Sequence, residues 1–147
     1  MSHSYAQNII HLVFSTKERR KLISAELQPA LWAYVAGVCK NSEIFVHAVG
    51  GMDDHIHSLI QVPAKLALAK AVLTIKSNSS RWVHEGAHKM EWQEGYGAFS
   101  VSASNVATVE QYIRNQAAHH RKMSFEEEFV ALLKKHGVEF DGRYVFG

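Results

Sequence analysis

The segment Met52-Asp53-Asp54-His55-Ile56-His57-Ser58-Leu59-Ile60 runs from a tight polar turn into a short apolar stretch with two histidines two residues apart. In an extended chain side chains alternate between faces, so His55 and His57 point one way and Ile56, Ser58 and Ile60 the other. Two neutral imidazoles on one face can chelate a divalent cation, with a bite that the strand fixes. The pair is expected on a ligand face rather than in the core. Such a pair alone is more often a plain half-exposed strand, and a working site needs a further ligand. Tyr112 and Gln116, four residues apart on an expected helix, lie on one face a turn apart. Gln116 could offer a neutral amide oxygen as third ligand, leaving positions open for phosphate oxygens, with Tyr112 in reach of the phosphorus they hold.

The elements that must position these groups follow from the pattern of apolar residues. Residues 6–16 alternate, with Ile10, Leu12 and Phe14 on one side and His11, Val13 and Ser15 on the other, which predicts a first strand. Leu27, Leu31, Tyr34, Val35 and Val38 recur at helical spacing over residues 24–40, with Ser24 as N-cap and Pro29 in the first turn. Residues 43–49 and 55–62 form a hairpin around Gly50, Gly51 and the aspartate pair. A long helix follows over 64–85, with Leu68, Val72, Ile75 and Trp82 along one face and Lys70, Lys76, Ser77, Ser80 and Arg81 on the other. Residues 91–101 lead into a fourth strand. A third helix over 106–121 buries Val109, Ile113, Ala117 and His120 and carries Tyr112, Gln116 and His119 along its edge. Ser124 and Glu127 form a capping box for a fourth helix ending near His136, and Gly137 supplies the stop. The order strand, helix, strand, strand, helix, strand predicts an α+β fold: a ferredoxin-like, RRM-related antiparallel sheet with helices on one face, plus C-terminal helices carrying the tyrosine. The first and third strands are then its central pair, a rigid platform for the histidines.

A chain of 147 residues, 47% hydrophobic, is read as a single domain over residues 1–147. Its formal charge of +2 permits an anionic partner without demanding one. One cysteine, no charged-then-apolar leader and no apolar run of spanning length lead us to expect a cytoplasmic protein with no membrane partner. Lys17, Arg19 and Arg20, beside a strand end, and Lys76 and Arg81, on the long helix, are the cations best placed to meet a nucleic-acid backbone, although such groups are most often plain solvated surface.

His55-Ile56-His57 resembles the HUH motif, and Tyr112-Ile113-Arg114-Asn115-Gln116 resembles the tyrosine-plus-glutamine helix of the single-tyrosine transposases of small bacterial and archaeal insertion sequences, the IS200/IS605-like family. The segments His11-Leu12-Val13-Phe14-Ser15-Thr16-Lys17 and Trp92-Gln93-Glu94-Gly95-Tyr96-Gly97-Ala98-Phe99-Ser100, and the pair His119-His120, are also similar to family features. The resemblance implies a DNA strand transferase that cuts and rejoins single-stranded DNA, with a hairpin at the element ends, through a 5′-phosphotyrosine intermediate. By the same carry-over His55, His57 and Gln116 hold a divalent metal, magnesium or manganese, and Tyr112 is the nucleophile. The resemblance further implies a homodimer with active sites shared between subunits. The short connector at residues 102–105 agrees with this, since passing the helix to a two-fold partner is easy.

Three other readings compete. A domesticated relative would process repeats instead of moving its own element. A non-catalytic RRM-like RNA-binding module is echoed by Gly95-Tyr96-Gly97-Ala98-Phe99, but Glu94 stands where that signature wants a cation. A phosphodiesterase with two HxT/S motifs has only one candidate segment, at His57-Ser58. No phosphate-binding GxxxxGK[ST] loop is present.

Overall fold

A computed structural model describes residues 4–86 and 88–146. The alternating segment forms β1 (Ile9–Ser15), and the hairpin forms β2 (Phe45–Gly51) and β3 (His55–Gln61); β4 is Gly97–Ser100. All pairings are antiparallel and the sheet order is β2-β3-β1-β4. β1 and β3 are therefore the central pair, as the split βαβ plan requires. Val13 lies opposite His57 and Ser15 opposite His55. β2 runs through both glycines, and its register against β3 shifts between Val46 and Ala48, with His47 at the irregularity.

Each face of the sheet has its own cover. Helices α1 (Leu27–Asn41) and α2 (Leu68–Glu85) pack on one side. There Ile10, Leu12, Phe14, Ile56 and Ile60 meet Leu31, Val35, Val72 and Ile75. Ser24 lies just before α1, and its hydroxyl oxygen accepts from the Leu27 amide at 3.2 Å. Pro29 falls in the first turn of α1, where its missing donor costs nothing. The long helix begins at Leu68, four residues later than the sequence pattern predicts, because residues 64–67 turn after Pro63.

The opposite face carries the histidines and is covered by the C-terminal helices α3 (Val106–Arg114), α4 (Gln116–His119) and α5 (Phe125–Lys135). Ile113 packs with Ile9, Ala48 and Leu59, while Phe125, Phe129, Leu132 and Leu133 pack with Val13 and Phe99. Two glycines allow this close seating. A Cβ on Gly50 would stand 2.7 Å from the Ile113 carbonyl oxygen of α3, and one on Gly97 would stand 2.8 Å from the Phe129 ring of α5. The expected single helix over 106–121 is broken at Asn115, and Ala117 is exposed rather than buried. Among the described residues no helix is long and apolar enough to cross a membrane.

Candidate active site

β3 delivers His55 and His57 to the α3–α5 side, and both are fully buried. The ligand face is thus part of the core and not an open strand surface, because α4 and α5 close over it. Gln116, at the start of α4, is also buried, and its Oε1 lies 2.8 Å from His55 Nε2 and 2.9 Å from His120 Nε2. The break at Asn115 turns Gln116 inward from the helix edge, where straight helical geometry would leave it. Tyr112 stands beside the same cluster, its ring edge-on to His57 at 5.7 Å and to His11 at 6.0 Å. The structure therefore joins His55, His57, Gln116 and Tyr112 within one chain. Within this one chain the connector at residues 102–105 folds α3 back onto its own histidines, through a 3-10 turn at Ala103–Asn105.

Two residues of the centre escaped the sequence reading of the site. Glu128 on α5 is 1% exposed, and its Oε1 lies 3.0 Å from His57 Nε2, 3.1 Å from His120 Nε2 and 3.4 Å from His55 Nε2. Its Oε2 accepts from Gln116 Nε2 at 3.1 Å and from the Tyr112 hydroxyl. The signal was available, since Phe125, Phe129 and Leu132 form an apolar stripe and position 128 falls inside it, where a carboxylate needs a reason. His120, read only as a buried helix residue, is the other.

The donor and acceptor roles decide what this arrangement can hold. His55 Nδ1 meets Asp54 Oδ1 at 2.7 Å and His120 Nδ1 meets the Met123 carbonyl at 2.7 Å. Both partners only accept, so both Nδ1 atoms carry the proton and each Nε2 turns inward, a lone pair where the ring is neutral and a donor where it is protonated. The Gln116 amide is oriented by its donation to Glu128, which leaves its oxygen facing those lone pairs. Several acceptors thus face one point with too few donors between them, an arrangement satisfied by an added proton or by a cation. His55, His57, His120 and Glu128 each offer one ligand atom, and these atoms all lie within 4.8 Å of one another. The outer contacts, Asp54 on His55 and His11 Nε2 at 2.8 Å from His57 Nδ1, are of the kind that orient metal-binding imidazoles. The residues fit a divalent metal.

Titration follows the same geometry. Burial pushes His57 down to about 4, and burial with the nearby His57 holds His11 well below the ordinary imidazole range. Burial alone would raise the Glu128 carboxyl, but hydrogen bonds from His120, His57 and Tyr112 outweigh it and keep the group ionised. Burial also opposes charge on His120, where contact with Glu128 prevails and raises its pKa. Burial, then the Glu128 charge, push the Tyr112 phenol far up, so it rests as a neutral donor.

The five cations expected at DNA are all engaged within the chain. Lys17 pairs with Glu91, Arg20 with Glu18, and Arg81 with Asn78 and Glu85. Arg19 lies 4.8 Å from the Phe146 ring centroid and donates to the Phe146 carbonyl. Lys76 donates to the carbonyls of Gln93 and Gly95 at 2.6 and 2.9 Å, pinning the loop before β4. Lys76 and Arg81 sit on α2, across the sheet from the histidines. Beside Tyr112, by contrast, opens a cavity of about 390 Å³ lined in part by His11, His119, Glu128, Lys135 and His136.

Comparison with known proteins gives a consistent picture. Residues 4–116 match the family model described as "Transposase IS200 like". The transposases for insertion sequence element IS200 of Salmonella typhimurium and Salmonella typhi are each 27% identical over 114 residues, 72% of this chain and 74% of theirs. A putative transposase from Deinococcus radiodurans shares the fold with a TM-score of 0.64 at 21% identity, covering 79% of this chain and 95% of that one. A REP-associated tyrosine transposase bound to a REP hairpin does so with a TM-score of 0.61 at 16% identity, covering 82% of this chain and 73% of that one.

Proposed function

We propose, from the premise that this chain belongs to the IS200-like transposase family, that it cuts and rejoins single-stranded DNA through a covalent bond to Tyr112, with a divalent metal held by His55, His57 and Gln116. Membership makes it a transposase and a DNA-cleaving enzyme. The observation that carries the finer reading is the convergence of Tyr112, Gln116 and the two histidines around one buried carboxylate, although they lie far apart in sequence.

Tyr112 sits between the ligand cluster and the cavity, where a phosphodiester entering from solvent would meet it. A bound cation would polarise the phosphate oxygens and stabilise the charge that develops on them. The phenol oxygen forms the new bond to phosphorus while the bond from phosphorus to the 3′-oxygen breaks. A 5′-phosphotyrosine link and a 3′-hydroxyl result. The phenolic proton has two acceptors in reach, Glu128 Oε2 and, at 3.4 Å, His119 Nε2. Because the link conserves the phosphodiester's energy, attack by a second 3′-hydroxyl reverses the step without a nucleotide cofactor. The imidazole-rich donor set suits manganese better than magnesium, which prefers all-oxygen shells.

The domain is taken as residues 1–147, acting in the cytoplasm as a homodimer. A DNA hairpin at the element end is the expected partner, a reading supported by the hairpin bound to the REP-associated neighbour. That neighbour also favours the second reading, a repeat-processing relative of the mobile enzymes. The test is cleavage of single-stranded DNA carrying candidate element ends, with Mn²⁺ and with EDTA, beside the same sequence as duplex. Cutting is expected only of the single strand and only with Mn²⁺. Equal cutting of duplex, or cutting that EDTA leaves untouched, would reject the reading.

A further inference from the structure

We infer that α5 belongs to the catalytic centre: Glu128 completes the cation site with one carboxylate oxygen and holds the Tyr112 hydroxyl with the other. The inference rests on the metal-and-tyrosine reading above and extends it to a helix beyond residues 4–116, the segment that carries the family match. Three observations support it.

Glu128 is a buried carboxylate, and an anion in the core needs its charge compensated there. Its neighbours are imidazole Nε2 atoms and not lysine or arginine, so in the neutral-ring state the charge is only partly compensated. A divalent cation in contact with Oε1 removes the deficit. The two oxygens also divide their partners. Oε1 faces the imidazoles of His57, His120 and His55, whereas Oε2 takes the Tyr112 hydroxyl and the Gln116 amide, with His119 Nε2 beside it at 3.3 Å. One rigid group thus spans the ligand cluster and the nucleophile. Finally, the carboxylate is held on a firm element. The capping box of Ser124 and Glu127 fixes the first turn of α5, and Phe125 and Phe129 anchor the helix against Val13 and Phe99.

On this account Glu128, with His120, is a ligand as much as Gln116, and it acts on Tyr112 as a positioning residue. Mn²⁺ binding to the DNA-free protein tests it without recourse to activity. Glu128→Gln keeps the shape of the side chain but removes the anionic oxygen, and it is expected to weaken Mn²⁺ binding at least about 10-fold in calorimetric titration. A variant that folds, shown by circular dichroism, and binds Mn²⁺ as tightly as the parent would overturn the inference. A second measurement does not depend on the variant's folding. In the unaltered protein Mn²⁺ is expected to slow amide hydrogen exchange along Phe125–Lys135. Protection confined to β3 and α4 would count against α5. If the unaltered protein binds no Mn²⁺ at all, the metal reading itself fails with this one, whereas normal Mn²⁺ binding indifferent to Glu128→Gln removes only the role of α5.

Discussion

His57 illustrates how a residue can be both ligand and core. It is fully buried, it shares the Glu128 carboxylate, and its Nδ1 contacts His11. Read on the sequence, His57→Ala removes activity from a ligand face outside the core and leaves the fold untouched. Its burial changes the second half of that expectation. Loss of cleavage is still expected, but so is a loss of stability of about 3 kcal/mol, because a buried anion loses a partner and a cavity opens. Denaturant unfolding beside the cleavage assay checks both. Acidity should act through the same ring. The imidazole of His57 falls from 6.5 to about 4 on folding, so between those values the unfolded chain binds more protons and stability must fall as pH falls. The size is about 3 kcal/mol across that window. His11 shifts the same way, whereas His120, whose pKa is raised, contributes a stabilisation that is fully present below 6.5 and so stays constant across this window. A net decline in unfolding free energy from pH 6.5 to pH 4 in metal-free protein is expected; constant stability there would mean that His57 is not held neutral.

At the scale of elements, the strand carrying the histidines and its central place were legible because period-two alternation and the split βαβ order are local signals. The capping box located the start of α5 for the same reason. The break at Asn115 was not legible. No glycine or proline marks residues 111–120, and the helix yields there to a tertiary demand, the contact of Gln116 with His55 and His120. Likewise, alternation told which way His55 and His57 point but not that α4 and α5 would bury them. The seat of α3 on β2 gives a test at this scale. Gly50→Ala would place a methyl 2.7 Å from the Ile113 carbonyl and must push α3 outward. A destabilisation of about 1–3 kcal/mol is expected, with slower cleavage as Tyr112 moves off the histidines. Unchanged cleavage would show that the position of α3 against β2 does not set the site.

For the whole molecule, the site is assembled within one chain, with α3 folded onto its own β3 face. Subunit mixing measures whether the proposed homodimer keeps that arrangement. His57→Ala and Tyr112→Phe proteins, each inactive, are expected to stay inactive when mixed into heterodimers, since every site then keeps a lesion. Recovered cleavage would mean that α3 leaves its seat and exchanges between subunits. The charge distribution bears on DNA at this scale as well. Lys17, Arg19, Arg20, Lys76 and Arg81 are already paired or anchored, and two of them face away from the histidines. Lys135, by contrast, lines the cavity at Tyr112. Lys135→Ala is expected to weaken single-strand binding and to lessen its fall with added salt, by a slope change of about 0.7 for one lost phosphate contact.

The central claim is that Tyr112 becomes bonded to the 5′-phosphate of the cut strand. The most direct measurement uses single-stranded DNA labelled 3′ of the cleavage position, incubated with the protein and Mn²⁺, denatured, digested and mapped by mass spectrometry. The label is expected on the peptide containing Tyr112, as a phosphotyrosine ester, with none on Tyr112→Phe protein. Cut DNA bearing a free 5′-phosphate and no protein adduct, or an adduct on any other residue, would contradict it.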